Sequence, residues 1–194
     1  MKYADKTVST VSEVLAALQS QYSPPKEVVW FRGQSDATWT LQPSIYRDPY
    51  NLTHERALAT RFQQNALALI PYRPASSWEW LFMMRHHGCP TRLLDWTESP
   101  LVGLFFAVEE NMKTEAKDAL LWCLLPAELN ALSHLIPDLP GDLPAFGVGP
   151  ELDNYSPESV QAAGSSKLIP LAGIARRESG RMTSQQSVFT INHV

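Results

Sequence analysis

Apolar residues at Val11, Val14, Leu15 and Leu18 keep helical spacing, and Thr10 with Glu13 forms a capping box ahead of them. Pro24-Pro25 stops this pattern, so residues 1–26 read as an N-terminal helix and linker. The period then drops to two. Glu27 to Gly33 predicts a strand, with Val28, Trp30 and Arg32 on one face and Val29 and Phe31 on the other. Apolar bulk on both faces puts this strand centrally in a sheet, with Thr38 to Leu41 as a pairing partner that Pro43 ends. Helical patterning returns from Thr53 to Ile70 and stops at Pro71. Ser76 and Glu79 make a second capping box, opening a helix through Trp80 and Met84 that Gly88 closes. Thr91 to Trp96 predicts a short strand. Ser99-Pro100 then opens an apolar helix from Leu101 to Met112, since Ser caps and Pro at the first position loses no bond. Asp118 to Leu125 reads as a strand ended by Pro126.

Five prolines and three glycines fall between 137 and 157, which marks an excursion loop. Ser156-Pro157 opens a short helix closed near Gly164, and Lys167 to Leu171 and Ser187 to Ile191 read as closing strands. Strands and helices mix without regular alternation. The expected class is therefore α+β: a mixed, mostly antiparallel sheet with flanking helices, residues 27–194 forming one globular domain.

Composition narrows the function. With 194 residues, 44% apolar and 10% aromatic, the chain can bury roughly 70% of its unfolded surface, so disorder is excluded as its main state. No apolar run approaches the roughly 20 residues of a membrane helix. The polar start from Met1 to Lys6 reads as no secretory signal, and two cysteines, Cys89 and Cys123, are too few for a disulfide scaffold; both point to the cytoplasm. The chain ends at Val194 just after a predicted strand, which leaves room for a C-terminal extension. A net charge of −4 argues against gripping an extended duplex by its phosphates. That total hides an asymmetry: residues 32–92 hold seven Arg, no Lys and four acids, leaving −7 for the remainder, and five of six Trp lie between 30 and 96. Arginine forks and aromatic rings suit phosphates, carboxylates or nucleobases, and equally suit a core with snorkelling Arg stems.

Three stretches concentrate the candidate chemistry. In the first, Trp30 to Ser35 continued by Trp39 to Arg47, Arg32 ends a central strand beside Gly33 and Gln34; it reads either as a ligand-gripping cation or as a strand pinned to a buried Asp. The second runs from Arg85 to Pro100. There Asp95 shares an apolar face with Leu93, so it needs a partner, for which Arg32 is the candidate, while Arg92 shares a face with Leu94 and Trp96. His86 and His87 end a helix and point about 100° apart, and with Gly88 terminating, His87 is expected nearer the cleft. Metal is not expected: zinc takes four ligands or three plus water, and Cys123, His134 and His193 are isolated. The third stretch, Arg181 to Thr190, places Gln185 at a cleft rim or in an ordinary loop before a strand.

In this order the three stretches resemble the FRG domain family. Phe31-Arg32-Gly33 matches the motif that names it, and Arg85 to Pro100 matches its pattern Q-H-H-G-x-P-T-R-L-L-D-W-T-x-S-P, followed by the helix with Phe105-Phe106-Ala107. Arg181, Gln185 and Phe189 match its closing stretch, so the resemblance spans about 27–190. Arg85 stands where Gln is usual, Gly103 where Ala is, and Ser187 where Gly is.

A weaker similarity is to ADP-ribosyltransferases, which implies an ADP-ribosyltransferase-like fold. Arg32-Gly33 looks like their early strand, and Asp95 to Pro100 leading to Phe106-Ala107 looks like their Ser/Thr strand and helix. Gln185 falls where their late catalytic Glu would be, so Asp95, Glu98 or Glu178 would have to supply the carboxylate. That resemblance implies NAD as substrate. Arg32, His87, Asp95 and Gln185 would then be catalytic, and Gln34, His86, Arg92, Thr97 and Glu98 would bind the ligand, with Arg32 and Arg92 on the pyrophosphate. The expected partners are a nucleotide-type small molecule and an acceptor macromolecule. The alternatives are a nucleotide- or nucleic-acid-binding module without turnover and a structural interaction domain.

Overall fold

Short runs of branched and aromatic residues form five strands: β1 (Trp30–Gln34), β2 (Leu93–Thr97), β3 (Leu120–Leu124), β4 (Leu171–Gly173) and β5 (Ser187–Ile191). The computed structural model describes residues 4–22, 28–47, 49–50, 53–71, 73–112, 117–133, 143–162, 168–175 and 180–193. The strands make one sheet in the order β3-β1-β2-β5-β4 with every neighbouring pair antiparallel. Among the described residues the helices are α1 (Val11–Tyr22), α2 (His54–Ala66), α3 (Ser77–His86), α4 (Pro100–Val108), α5 (Pro126–Ser133), α6 (Pro157–Ala162) and α7 (Gly180–Ser184). The fold is α+β in a single domain. No described helix is long and apolar enough to cross a membrane.

Side-chain alternation divides the core across the sheet. On one face Leu93, Leu171, Phe189 and Ile191 pack with Trp78 and Leu81 of α3 and with Phe146, Leu152 and Tyr155. On the other Trp30, Leu94, Trp96, Ala172 and Val188 pack with Leu124 and with Leu129 of α5. Helix α4 lies against β1 at very short range: a Cβ on Gly33 would stand 2.1 Å from the Gly103 carbonyl oxygen and 2.3 Å from the Ala107 nitrogen. Glycine at 33 therefore sets how close that helix comes.

Local signals hold at the helix starts. Thr10 Oγ1 accepts from Glu13 N, Ser76 Oγ from Glu79 N, and Ser99 Oγ from Val102 N. Gly88, at φ +78°, carries the chain away from α3 in the left-handed region.

Four expectations need correction. Thr38 to Leu41 forms no strand, because Asp36 Oδ1 accepts from Thr38 N at 2.9 Å and turns the chain, leaving that side of β1 to β3. The last sheet edge is Leu171–Gly173 rather than Lys167 to Leu171; Pro170 has no N–H for the ladder, so pairing starts after it. Pro126 does not merely end β3 but occupies the first position of α5. The polar stretch before β5 contains the short helix α7. Pro24, Pro25, Glu27, His134, Gly164, Lys167, Glu178 and the 137–142 part of the excursion loop lie outside the described residues, as does the Arg181 side chain.

Candidate functional site

Strands β1 and β2 are joined at one bridged pair, Phe31 with Thr97, whereas β1 pairs with β3, and β2 with β5, along all five residues. Beyond that bridge the two central strands part. A cavity of about 330 Å³ opens there. Its floor carries Phe31, Gly33, Asp95, Thr97, Ser187 and Phe189. One wall is Phe82, Arg85 and His86 of α3, and the other is Val102, Gly103 and Phe106 of α4. Trp39, Arg47 and Glu110 also line it, as do Met182 and Gln185.

Arg32 reaches into the gap. Its Nη1 donates to the backbone oxygen of Asp95 at 2.7 Å, and the same nitrogen stands 3.9 Å from Asp95 Oδ2. The side chain thus takes a carbonyl left without a β1 ladder partner. Its remaining N–H groups have no protein acceptor among the described residues, and Nε is sealed from solvent without one. Burial is the largest influence on this guanidinium and pulls its pKa down to about 10; Asp95 opposes that, while Arg85 and Arg47 add to it. Arg32 is therefore still a cation at neutral pH, held beside two others.

The Asp95 carboxylate is committed elsewhere. Arg85 Nε donates to Oδ2 at 2.7 Å and Arg85 Nη2 donates to the same oxygen, while Arg85 Nη1 reaches Ser44 Oγ at 3.3 Å. Burial disfavours the Arg85 cation, but the charge and hydrogen bond of Asp95 outweigh it and raise its pKa. Ser44 Oγ also accepts from Thr91 N at 3.2 Å, which ties the Pro43–Tyr46 turn to the entry of β2. Sequence reasoning quoted Arg85 without giving it a role. The missed signal is its place in the last turn of α3, which the Gly88 turn brings back alongside β2. Arg47, Trp39, Phe106 and Glu110 were missed as well; Glu110 accepts from Ser35 Oγ at 2.6 Å.

The cavity gathers Arg32, Gln34, His86, Asp95, Thr97 and Gln185, from three distant stretches. Thr97 Oγ1 donates to the Gln185 backbone oxygen at 2.6 Å and accepts from Ser99 N at 3.1 Å, so it positions Gln185 and steadies the start of α4. The Gln185 amide itself has no hydrogen-bond partner among the described residues. Gln34 is buried, its Oε1 accepting from Trp122 Nε1.

Three expected site residues lie elsewhere. Arg92 is fully buried away from the cavity. It donates from Nε to Glu55 Oε2 at 2.7 Å, and from its two Nη atoms to the backbone oxygens of Asn192 and Tyr155 at 3.1 and 3.0 Å, so it staples α2 and the chain end to β2. Glu98 is exposed and does not line the cavity. The histidine assignment is reversed: both side chains are exposed, but His86 lines the cavity, whereas His87 does not and has its ring 5.9 Å from that of Phe62. The helix continues through His86, which sets that residue at the cavity mouth, and His87 is the cap. No three described His, Cys, Asp or Glu side chains cluster as metal ligands.

The FRG domain family model matches residues 27–116, the stretch that supplies β1, α3, β2 and α4 and with them most of the cavity wall, and this match supports the FRG family. Gln185 and β5 fall outside the matched span. No curated protein and no solved structure matches the chain.

Proposed function

We propose that the cavity takes an anionic nucleotide-type ligand, NAD first among them, and that its reaction is cleavage of the nicotinamide–ribose bond, by water or by an acceptor macromolecule. One observation carries this reading: Arg32, a half-buried cation with a single protein acceptor, faces a cavity it shares with Arg85 and Arg47. Three guanidinium groups against the carboxylates of Asp95 and Glu110 leave a surplus of positive charge suited to a pyrophosphate. Trp39, Phe82 and Phe106 supply aromatic surface for a planar ring, and the volume falls in the usual range for small-molecule sites. Thr97 and Gln185 stand in the same cavity, where an ADP-ribosyltransferase-like reading would use them. In cleavage, nicotinamide leaves neutral, positive charge grows at the ribose carbon, and Gln185 is the amide that would hold a ribose hydroxyl.

A second reading, binding without turnover, is favoured by the commitment of Asp95 to Arg85 and by the neutrality of Gln185. Calorimetry with NAD and an assay for released nicotinamide separate the two. The expected result is NAD binding that Arg32→Ala weakens about tenfold or more, because it removes a charged hydrogen bond present in ground and transition states alike. Gln185→Ala is expected to act on rate, and Gln185→Glu to speed nicotinamide release by restoring a carboxylate. Binding without release leaves the second reading, and absence of NAD binding ends the first.

A further inference from the structure

We infer that Gln34 is a specificity-determining donor that reads an exocyclic carbonyl on the planar ring of the bound nucleotide, with Trp122 as the positioning residue that fixes its amide; this rests on the nucleotide reading above. A glutamine amide has one accepting oxygen and a nitrogen with two donors, whereas an indole nitrogen only donates. Trp122 Nε1 donates to Gln34 Oε1 across the β1–β3 pair, where Arg32 opposes Trp122 and Gln34 opposes Leu120. The two side chains therefore share one face of adjacent strands, and the indole dictates which way the amide lies.

That leaves Nε2. It meets no acceptor among the described residues, and it is not among the polar atoms sealed from solvent. Gln34 keeps only 4% of its surface, and it lines the cavity while Trp122 does not. The open N–H groups thus face the ligand space from a rigid, nearly buried residue at the end of β1. The phosphates have the guanidinium groups of Arg32, Arg85 and Arg47. A locked neutral donor beside them selects a neutral acceptor that projects from a ring, and under the NAD reading that acceptor is the nicotinamide carbonyl. A site built to hydrogen-bond such a group rejects an analogue lacking it, because the buried donor is left unpaired.

The test compares binding of NAD with that of the dinucleotide whose carboxamide is replaced by hydrogen, by calorimetry. Wild type is expected to prefer NAD about tenfold or more, and Gln34→Met to lose that preference through weaker NAD binding. Gln34→Glu keeps an acceptor for Trp122 and so guards against a folding artefact. It presents an acceptor where the donor was, which the carboxamide meets only by turning its own N–H2 group inward, and should lower the preference for NAD below that of wild type. Trp122→Phe keeps the amide but frees it to rotate, and should lower the preference part of the way. Wild type that binds NAD without preference, or Gln34→Glu that keeps the wild-type preference, overturns the role of Gln34 and leaves the nucleotide reading standing. Wild type that binds neither dinucleotide overturns both.

Discussion

Arg92 and Arg32 both meet carboxylates, yet their surroundings give them opposite roles. Every nitrogen of the Arg92 guanidinium has an acceptor, from Glu55 or from backbone oxygens of Tyr155, Asn192 and His193, and no surface is left. Arg32 has one acceptor, a carbonyl, and stands at an open cavity. A saturated buried cation is mortar: it joins α2, the start of β2 and the chain end, and offers nothing to a ligand. An unsaturated cation keeps its donors for whatever enters. Hydrogen-bond saturation, not residue type or nearness to a motif, separates the two.

The largest expected effect comes from breaking the saturated pair. Glu55→Gln keeps the shape but leaves Arg92 buried and unneutralised, so unfolding in urea should show a loss of about 3–5 kcal/mol. NAD affinity of the folded fraction should not change, because neither residue lines the cavity. Next is Gly33→Ala. A methyl there meets the backbone of α4 at Gly103 and Ala107, neither of which is the end of a flexible side chain. The helix must shift, at a cost of about 1–3 kcal/mol. Because α4 is a cavity wall, this variant should lose ligand affinity along with stability, unlike Glu55→Gln.

The sequence carried much of this frame in local form. Capping residues Thr10, Ser76 and Ser99 marked three helix starts, since each satisfies donors within its own first turn. Two-residue alternation marked β1, β2 and β5, although β1 and β2 begin two to three residues later than read. What local signals do not hold is pairing. Nothing between 27 and 43 tells that β1 takes β3, some ninety residues on, rather than the nearer Thr38 to Leu41. The same limit applies to the site. Arg32 and Asp95 were legible as neighbours because each was a charge on an apolar strand, but Arg32 bonds the Asp95 backbone oxygen and the carboxylate takes Arg85 instead. Arg92 looked equivalent, and only Glu55, on a helix 37 residues away, reveals that it is spent internally. Arg85 was hidden for the converse reason: its one cue, the last turn of α3 before Gly88, does not say which carboxylate it will meet.

Asp95→Asn tests the unsaturated side. Had the carboxylate been sealed with Arg32, its loss would match that of Glu55, but the Asp95 side chain keeps 39% of its exposure and water can solvate what remains. The expected cost is therefore about 1 kcal/mol, read as a small shift in the urea midpoint. Anion binding should move the other way. With one negative charge gone between Arg32 and Arg85, inorganic pyrophosphate or NAD should bind several-fold tighter, and the gain should shrink with added salt. A stability loss as large as that of Glu55→Gln would erase the distinction between the two pairs.

The smallest effect is a pH dependence in a third pair, at the rim. Asp36 accepts from Lys117 Nζ at 2.7 Å through Oδ2, and from Thr38 N and Oγ1 at 2.9 and 2.6 Å through Oδ1. The Lys117 hydrogen bond, then those of Thr38, hold its carboxyl down at about 2, against an ordinary value of 3.8. A carboxyl whose folded pKa is depressed adds stability that is fully present above the unfolded value and is lost as pH falls through the folded one. Wild type should therefore be more stable than Asp36→Asn by a constant margin above about pH 5, and that margin should close between about pH 4 and pH 2. The turn it fastens leads directly to Trp39, so the change should be visible in tryptophan emission before the core opens. A margin that stays constant down to pH 2 would mean that Lys117 and Thr38 do not hold the carboxylate. The rim carrying Trp39 would then be fixed instead by the Asn111 bonds to the Ser35 and Lys117 carbonyls, which do not titrate.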